Sequence, residues 1–160
     1  MLHQLRPATN ADITAVQALV FGVLEEYELR ADPENTDADL RDIEASYSSA
    51  GGFFDLLTDL EGGVLGTVAL FRINPHVCEL RKMYLVRAWR GKGLGRLLLE
   101  HAIKRAVELG FARMVLETAS VLREAVSLYE KRGFRPYEPH HLAARCDAAY
   151  CLDLSALKRK

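Results

Sequence analysis

The sequence has one tryptophan, three cysteines, five prolines and almost no charge excess, with 21 Lys and Arg against 22 Asp and Glu in 160 residues. A net charge of −1 excludes the global basic field that nucleic acid or an anionic membrane would draw on, so any electrostatic function is local. Cys78, Cys146 and Cys151 are odd in number and have no paired spacing, which argues against a disulfide framework and predicts reduced thiols in a cytoplasmic protein. Long apolar runs are missing as well. The longest near the N-terminus, Ala18 to Leu24, follows Gln17 and leads into Glu25 and Glu26, where a secretory signal would want a basic start. Nothing approaches the roughly 20 apolar residues of a membrane span. What is present is a globular balance, 49% hydrophobic and 27% charged, and the length predicts one domain over residues 1–160.

Residues 3 to 8 read as a short strand, after which Asn10 or Thr9 caps a helix with Ile13, Val16, Leu19, Val20 and Val23 on its apolar side. A second helix is expected from Asp37 to about Tyr47. Phe53 to Thr58 and Val64 to Ile73 are β-rich runs joined through Gly62 and Gly63, a hairpin pattern, and Cys78 to Val86 is the next strand. From Gly91 the period changes. The rows Leu98, Ala102, Ala106 and Leu99, Ile103, Val107 oppose Arg96, Glu100, Lys104 and Glu108, an amphipathic helix stopped at Gly110. Arg113 to Thr118 is a buried strand and Arg123 to Arg132 a helix closed by Gly133, followed by strand candidates at Phe134 to Tyr137 and Ala148 to Leu154. Strand, crossover helix and strand within Cys78 to Thr118 require a right-handed parallel unit, and the upstream hairpin requires antiparallel pairing. The expected fold is therefore α/β (α+β), a mixed central sheet flanked by helices in three layers.

Charge is unevenly spread along this chain. Residues 25–44 hold nine carboxylates against Arg30 and Arg41, a net of −7, whereas residues 80–106 hold eight bases and only Glu100, a net of +7. The basic stretch contains Arg90, Gly91, Lys92, Gly93, Leu94 and Gly95, placed between a strand and a helix N-terminus. The first N–H groups of a helix lack intrahelical partners and its dipole is positive there, so an anion is stabilised by roughly 0.3–2 kcal/mol. Glycines let a phosphate approach the main chain, and Arg90, Lys92 and Arg96 add positive charge, so the implied ligand is a phosphate or pyrophosphate. The spacing fails the P-loop pattern. It only approaches the dinucleotide fingerprint, with Leu98 where a third glycine belongs and Glu117 imitating the ribose-binding acid.

An Arg-Gly-x-Gly-x-Gly loop after the strand ELRKMYLV (79–86), with AVSLYEKRGF (125–134) downstream, resembles the GNAT superfamily of acetyl-CoA-dependent N-acetyltransferases; RPATNAD (6–12) resembles the usual opening of that family. The resemblance implies acetyl-CoA as cosubstrate, no metal, and transfer of an acetyl group to a primary amine by direct attack. It implies that the strand around Met83, Tyr84 and Leu85 pairs with the pantetheine arm. It assigns the pyrophosphate to Arg90, Gly91, Lys92, Gly93, Leu94, Gly95 and Arg96. Tyr129 falls on the tyrosine that reaches the thioester sulfur, and Glu79 where many members place a general base. Seven residues before the tyrosine, where many members carry asparagine, stands Leu122, and Ser120 or a main-chain group is expected to replace it.

The chemistry asks for these residue types in its own right. An amine of pKa about 10.4 is roughly one part in a thousand neutral at pH 7, so its attack on a thioester needs a base. A leaving thiolate of pKa about 8.5 can take a hydrogen bond or proton from a phenol of pKa about 10. By periodicity alone Tyr129 is equally a core aromatic, and Glu79 could simply pair with Arg81 or Lys82. Glu117 is open between a substrate contact and an edge charge. The spacing of His140, His141, Cys146 and Cys151 fits no standard zinc ligand pair, and Trp89 is expected to cover apolar surface. The acceptor is expected to be a small molecule, drawn as a cation to the acidic segment 25–44, with no nucleic acid or membrane partner; a homodimer is compatible with the sequence. A non-catalytic acyl-CoA-binding sensor or interaction module of the same fold, and a dinucleotide-binding enzyme, are the competing readings.

Overall fold

The computed structural model describes residues 3–159, so the ends of the expected 1–160 domain, residues 1, 2 and 160, lie outside the described residues. Strand β1 (His3–Pro7) ends where Thr9 opens a capping box. The Thr9 hydroxyl accepts from the Ala11 N–H, and the Asp12 carboxylate accepts from the Thr9 N–H at 2.9 Å while holding Arg6 at 2.8 Å. Helix α1 (Ile13–Glu26) then buries Val16, Leu19, Val20, Val23 and Leu24, the spacing of one helical face.

The helix expected over 37–47 is broken in two, a 3-10 turn at Ala38–Arg41 and the short α2 (Ile43–Ser46). Asp42 explains the break. Its backbone (φ −148°) leaves the helical region, and its carboxylate instead caps the Ala45 N–H at 3.0 Å.

Strands β2 (Phe53–Asp59) and β3 (Val64–Arg72) form the expected hairpin, followed by β4 (Val77–Leu85), α3 (Leu94–Glu108), β5 (Arg113–Thr118) and α4 (Arg123–Arg132). The strand expected at 134–137 shrinks to β6 (Arg135–Pro136), although the Tyr137 N–H still donates to the Ala149 carbonyl at 3.0 Å. It pairs with β7 (Ala148–Asp153).

The seven strands lie in the order β1-β2-β3-β4-β5-β7-β6, and every neighbouring pair is antiparallel except β4 and β5, which α3 connects. Helices α1 and α2 cover one face over Phe54, Leu56 and Ala69, and α3 and α4 cover the other over Val68, Leu80, Met114 and Leu116. This is the mixed sheet in three layers that the element order predicts. Leu98, fully buried between α3 and the sheet, typifies the core, and truncating such a leucine to alanine costs about 2–5 kcal/mol.

One irregularity positions everything that follows. Opposite Val68, β4 carries two residues, Lys82 and Met83, where a regular ladder has one, and Lys82 sits at φ +51°. That left-handed backbone costs roughly 1–2 kcal/mol for a side-chain-bearing residue. It is held by Thr67, whose hydroxyl donates to the Lys82 carbonyl at 2.6 Å, and by two carboxylates on the Lys82 ammonium. The bulge bends β4. Its pairing with β5 ends at Glu79 and Val115, and beyond that point the two parallel strands splay apart.

Candidate active site

The splay opens two cavities that share Met83, Tyr84, Leu122 and Ala125 in their walls. The first, about 490 Å³, runs along the far half of β4 to the N-terminus of α3 and is closed on its other side by α4. Among the described residues, the backbone N–H groups of residues 91–96 donate to no protein acceptor, the first helical bond being Leu97 N–H to the Gly93 carbonyl at 3.1 Å. A row of unpaired N–H groups at a positive helix end fits a pyrophosphate. Gly93 lines the cavity and supplies the N-terminal cap of α3 at φ +82°, a left-handed backbone that suits glycine, and a Cβ there would meet no atom within 4 Å. Gly95 serves packing instead, since a Cβ there would lie 3.0 Å from Leu128 on α4. Among the described residues, the β5-facing side of β4 has no partner strand past Glu79, which suits an extended arm that pairs with a strand edge.

Met83, Tyr84, Leu85, Arg90, Gly91, Gly93, Gly95 and Arg96 all line this cavity. Lys92 and Leu94 are not in its wall: the Lys92 ammonium stacks over Trp89, and the Leu94 side chain is buried in the core. The charge of Arg90 is already compensated. Its guanidinium grips Glu26 at 2.9 and 3.0 Å and its Nε donates to the Leu85 carbonyl at 3.0 Å, so Arg90 ties the loop to α1. Arg123, Ser127 and Lys131 also line the cavity, and reading the loop alone misses them. Their i, i+4, i+8 spacing on α4 is the signal that finds them.

The second cavity, about 430 Å³, lies over the other side of the splay and contains Glu79, Glu117 and Tyr129. Glu79 and Arg81 project from β4 toward the α1/α2 face, and Tyr129 reaches the gap from α4. Burial pushes the Glu79 carboxyl above its ordinary value against the pull of Arg81, whose Nε donates to it at 2.5 Å. Burial likewise drives the Tyr129 phenol well above its ordinary 10, helped by neighbouring Tyr84 and Cys146, so the group stays a hydrogen-bond donor. Among the described residues no hydrogen-bond partner meets that hydroxyl, whereas its ring packs on Phe134 and Tyr150. Glu117 accepts the Ala143 N–H at 2.7 Å and forms no ion pair with a described residue. Cys146 also lines the cavity, and burial raises its thiol to about 11, which leaves roughly one thiolate in ten thousand at pH 7.

Two loops roof this cavity, residues 32–39 and 139–147, and Asp37 joins them. Its fully buried carboxylate takes both ends of the Arg145 guanidinium at 2.7 and 2.8 Å, the Lys82 ammonium at 3.0 Å and the Asp32 N–H at 2.8 Å. Burial alone would raise this carboxyl; Arg145, Lys82 and the Asp32 N–H outweigh it and hold it at about 2. The acidic charge of segment 25–44 is paired only in part. Asp37 and Asp39 face Lys82, Asp37 also faces Arg145, Glu26 faces Arg90 and Glu34 faces Arg41, whereas Asp42 and Glu44 accept from the neutral Asn10 and keep their charge. Ser120 is likewise not free to replace the missing asparagine, because its N–H and hydroxyl both donate to Asp147 at 2.7 Å.

Residues 20–134 match the acetyltransferase (GNAT) family. The chain is 38% identical over 135 residues to the uncharacterized N-acetyltransferase YjgM of Escherichia coli (strain K12), covering 81% of this chain and 80% of that one. Its fold is that of a GNAT-family acetyltransferase from Staphylococcus aureus Mu50 (TM-score 0.89, 21% identity, 96% and 99% of the two chains). The same fold holds AcCoA in a phosphinothricin acetyltransferase from Sinorhizobium meliloti (TM-score 0.74, 21% identity, 96% and 89%). It holds CoA and spermine in spermidine N-acetyltransferase from Vibrio cholerae (TM-score 0.72, 18% identity, 96% and 96%). With that family match across most of the chain, and a loop of open N–H groups beside splayed parallel strands, this protein belongs to the GNAT family and is an N-acetyltransferase.

Proposed function

We propose that residues 1–160 act as one cytoplasmic domain that moves the acetyl group of acetyl-CoA to the primary amine of a small molecule by direct attack. The observation that carries this reading is the junction of the two cavities at the β4/β5 splay, with a tyrosine hydroxyl that has no hydrogen-bond partner among the described residues and a carboxylate of raised pKa in the wall beside it. Residues 91–96 would hold the pyrophosphate through their N–H groups, with Arg96, Arg123 and Lys131 supplying charge, and the β4 edge at Met83 and Leu85 would pair with the pantetheine arm. Acetyl-CoA supplies a thioester, whose carbonyl carbon bonds to the amine nitrogen as its C–S bond breaks.

Glu79 takes the proton that the amine must lose, at the oxygen not engaged by Arg81, and passes it to solvent. Tyr129 donates a hydrogen bond or its proton at the departing sulfur and recovers it from water. Net, one ammonium and one thioester give one amide, one thiol and one proton. Cys146 is too weakly ionised to serve as an acyl carrier, which supports transfer without a covalent enzyme intermediate.

The test combines a melting curve with a thiol-release assay. At about 100 times Kd, acetyl-CoA should add about 2.7 kcal/mol of stability, and free thiol should appear only when an amine is added. A melting temperature that acetyl-CoA leaves unmoved would refute the reading.

A further inference from the structure

The walls of the second cavity carry both signs of charge, and most of it is spent. Lys82 is held by Asp37 and Asp39, and Arg145 by Asp37. The one Asp39 oxygen without a hydrogen bond is sealed from the cavity. Glu79 is the base. Two charged groups keep hydrogen-bonding capacity that a ligand could use. One is Arg81, with about a third of its side chain exposed, whose Nε donates to Glu79 and whose guanidinium also hydrogen-bonds the Tyr47 phenol. Phe71 stacks on the flat face of this guanidinium at 3.9 Å. A guanidinium has five N–H donors in a planar fork, so donors are left over at its terminal nitrogens. The other group is Glu117, which stands on β5 one pleat beyond Val115, the partner of Glu79, and so shares a sheet face with Glu79 and Arg81.

From this placement we infer that the acceptor is a small α-amino acid, its carboxylate bound by Arg81 and its amino group directed at Glu79 and Glu117. The inference rests on the acetyl-transfer reading above and names its substrate class. Glu79 sits on the same guanidinium that would take the carboxylate, and an α-nitrogen is only two bonds from the carboxyl carbon, so docking the one delivers the other to the base. A polyamine carries no carboxylate and would instead bring a second cation toward Arg81. A neutral amine would leave the Arg81 donors without an acceptor.

The experiment uses the wild-type protein saturated with acetyl-CoA, the thiol-release assay, and matched probes: individual proteinogenic amino acids, their carboxamides, the corresponding decarboxylated amines, and spermidine. The best amino acid should exceed its amide and its decarboxylated amine in kcat/KM by roughly 10²–10⁴, because a site built around a hydrogen-bonded group rejects analogues that lack it. Arg81→Gln should bring the three to within about tenfold of one another, chiefly through KM for the amino acid, while the acetyl-CoA melting shift persists. Should Arg81→Gln fail to fold, the wild-type comparison decides alone. The melting shift reads the transferase proposal by itself. With the shift intact, turnover of amides, simple amines or spermidine at or above the amino-acid rate overturns the inference, and so does the absence of turnover with every amino acid.

Discussion

Replacing Asp37 by asparagine removes the charge that joins the two roof loops to β4 and preserves the side-chain volume. Two routes set the size of the effect. The folded carboxyl lies at about 2 against an ordinary 3.8, and at about 1.4 kcal/mol per unit that depression contributes about 2 kcal/mol to stability. Because the folded value is the lower one, this contribution is complete above about pH 4 and disappears as pH falls through about 2. Substitution also strands the partners, and breaking a buried pair from one side costs about 3–5 kcal/mol. Lys82 keeps Asp39 at 3.3 Å, so Asp37→Asn should cost about 3 kcal/mol at pH 7, the lower end of that range. Urea denaturation followed by circular dichroism, repeated from pH 7 to pH 2, reads both quantities. The gap between wild type and variant should close between pH 4 and pH 2, where the protonated aspartic acid becomes an uncharged equivalent of the asparagine. A variant within about 1 kcal/mol of wild type at pH 7, or a gap that stays constant in acid, would show that Asp37 is not what holds the roof. In the folded variant, KM for the acceptor should rise while the acetyl-CoA melting shift stays, since none of the residues in the first cavity bonds to Asp37.

Tyr129→Phe keeps the ring packing on Phe134 and Tyr150 and should lower kcat by roughly 10²–10⁴ with an unchanged acetyl-CoA melting shift; a wild-type rate would return Tyr129 to the role of a core aromatic. Glu79→Gln should remove the rise of kcat/KM with pH that wild type shows as this carboxylate loses its proton, an inflection displaced above the ordinary carboxylate value by burial; an unaltered acid limb would assign the base elsewhere. Gly93→Val forces a β-branched side chain to φ +82°, costing at least about 1–2 kcal/mol. It should also abolish stabilisation by acetyl-CoA, since the strain would disturb the left-handed turn that presents the loop N–H groups, and a full melting shift in the folded variant would count against the loop as the pyrophosphate site.

Much of the fold was legible because the signals for it are local. Arg113–Thr118 and Arg123–Arg132 agree with expectation to the residue, since a run of apolar β-formers and a helix closed by glycine declare themselves within a few residues. The hairpin, the parallel β4-α3-β5 unit and the three layers follow from element order. Asp42 was misread because capping competes with helix continuation at that one residue. The first cavity was legible in the glycine loop, but its α4 wall of Arg123, Ser127 and Lys131 was not read, because the sequence does not state which way that helix faces.

The amino-acid sequence by itself determined the α/β class, the parallel crossover and the anion loop at the start of α3, because periodicity, caps and glycine spacing act over neighbouring residues. Tertiary structure alone decided that Lys82 would turn left-handed and part β4 from β5. It also decided that Arg145 would meet Asp37 across 108 positions of chain, and which carboxylates of the acidic stretch would be paired and which left open. These are contacts between residues remote in sequence, and a charge read along the chain carries its sign but not its partner.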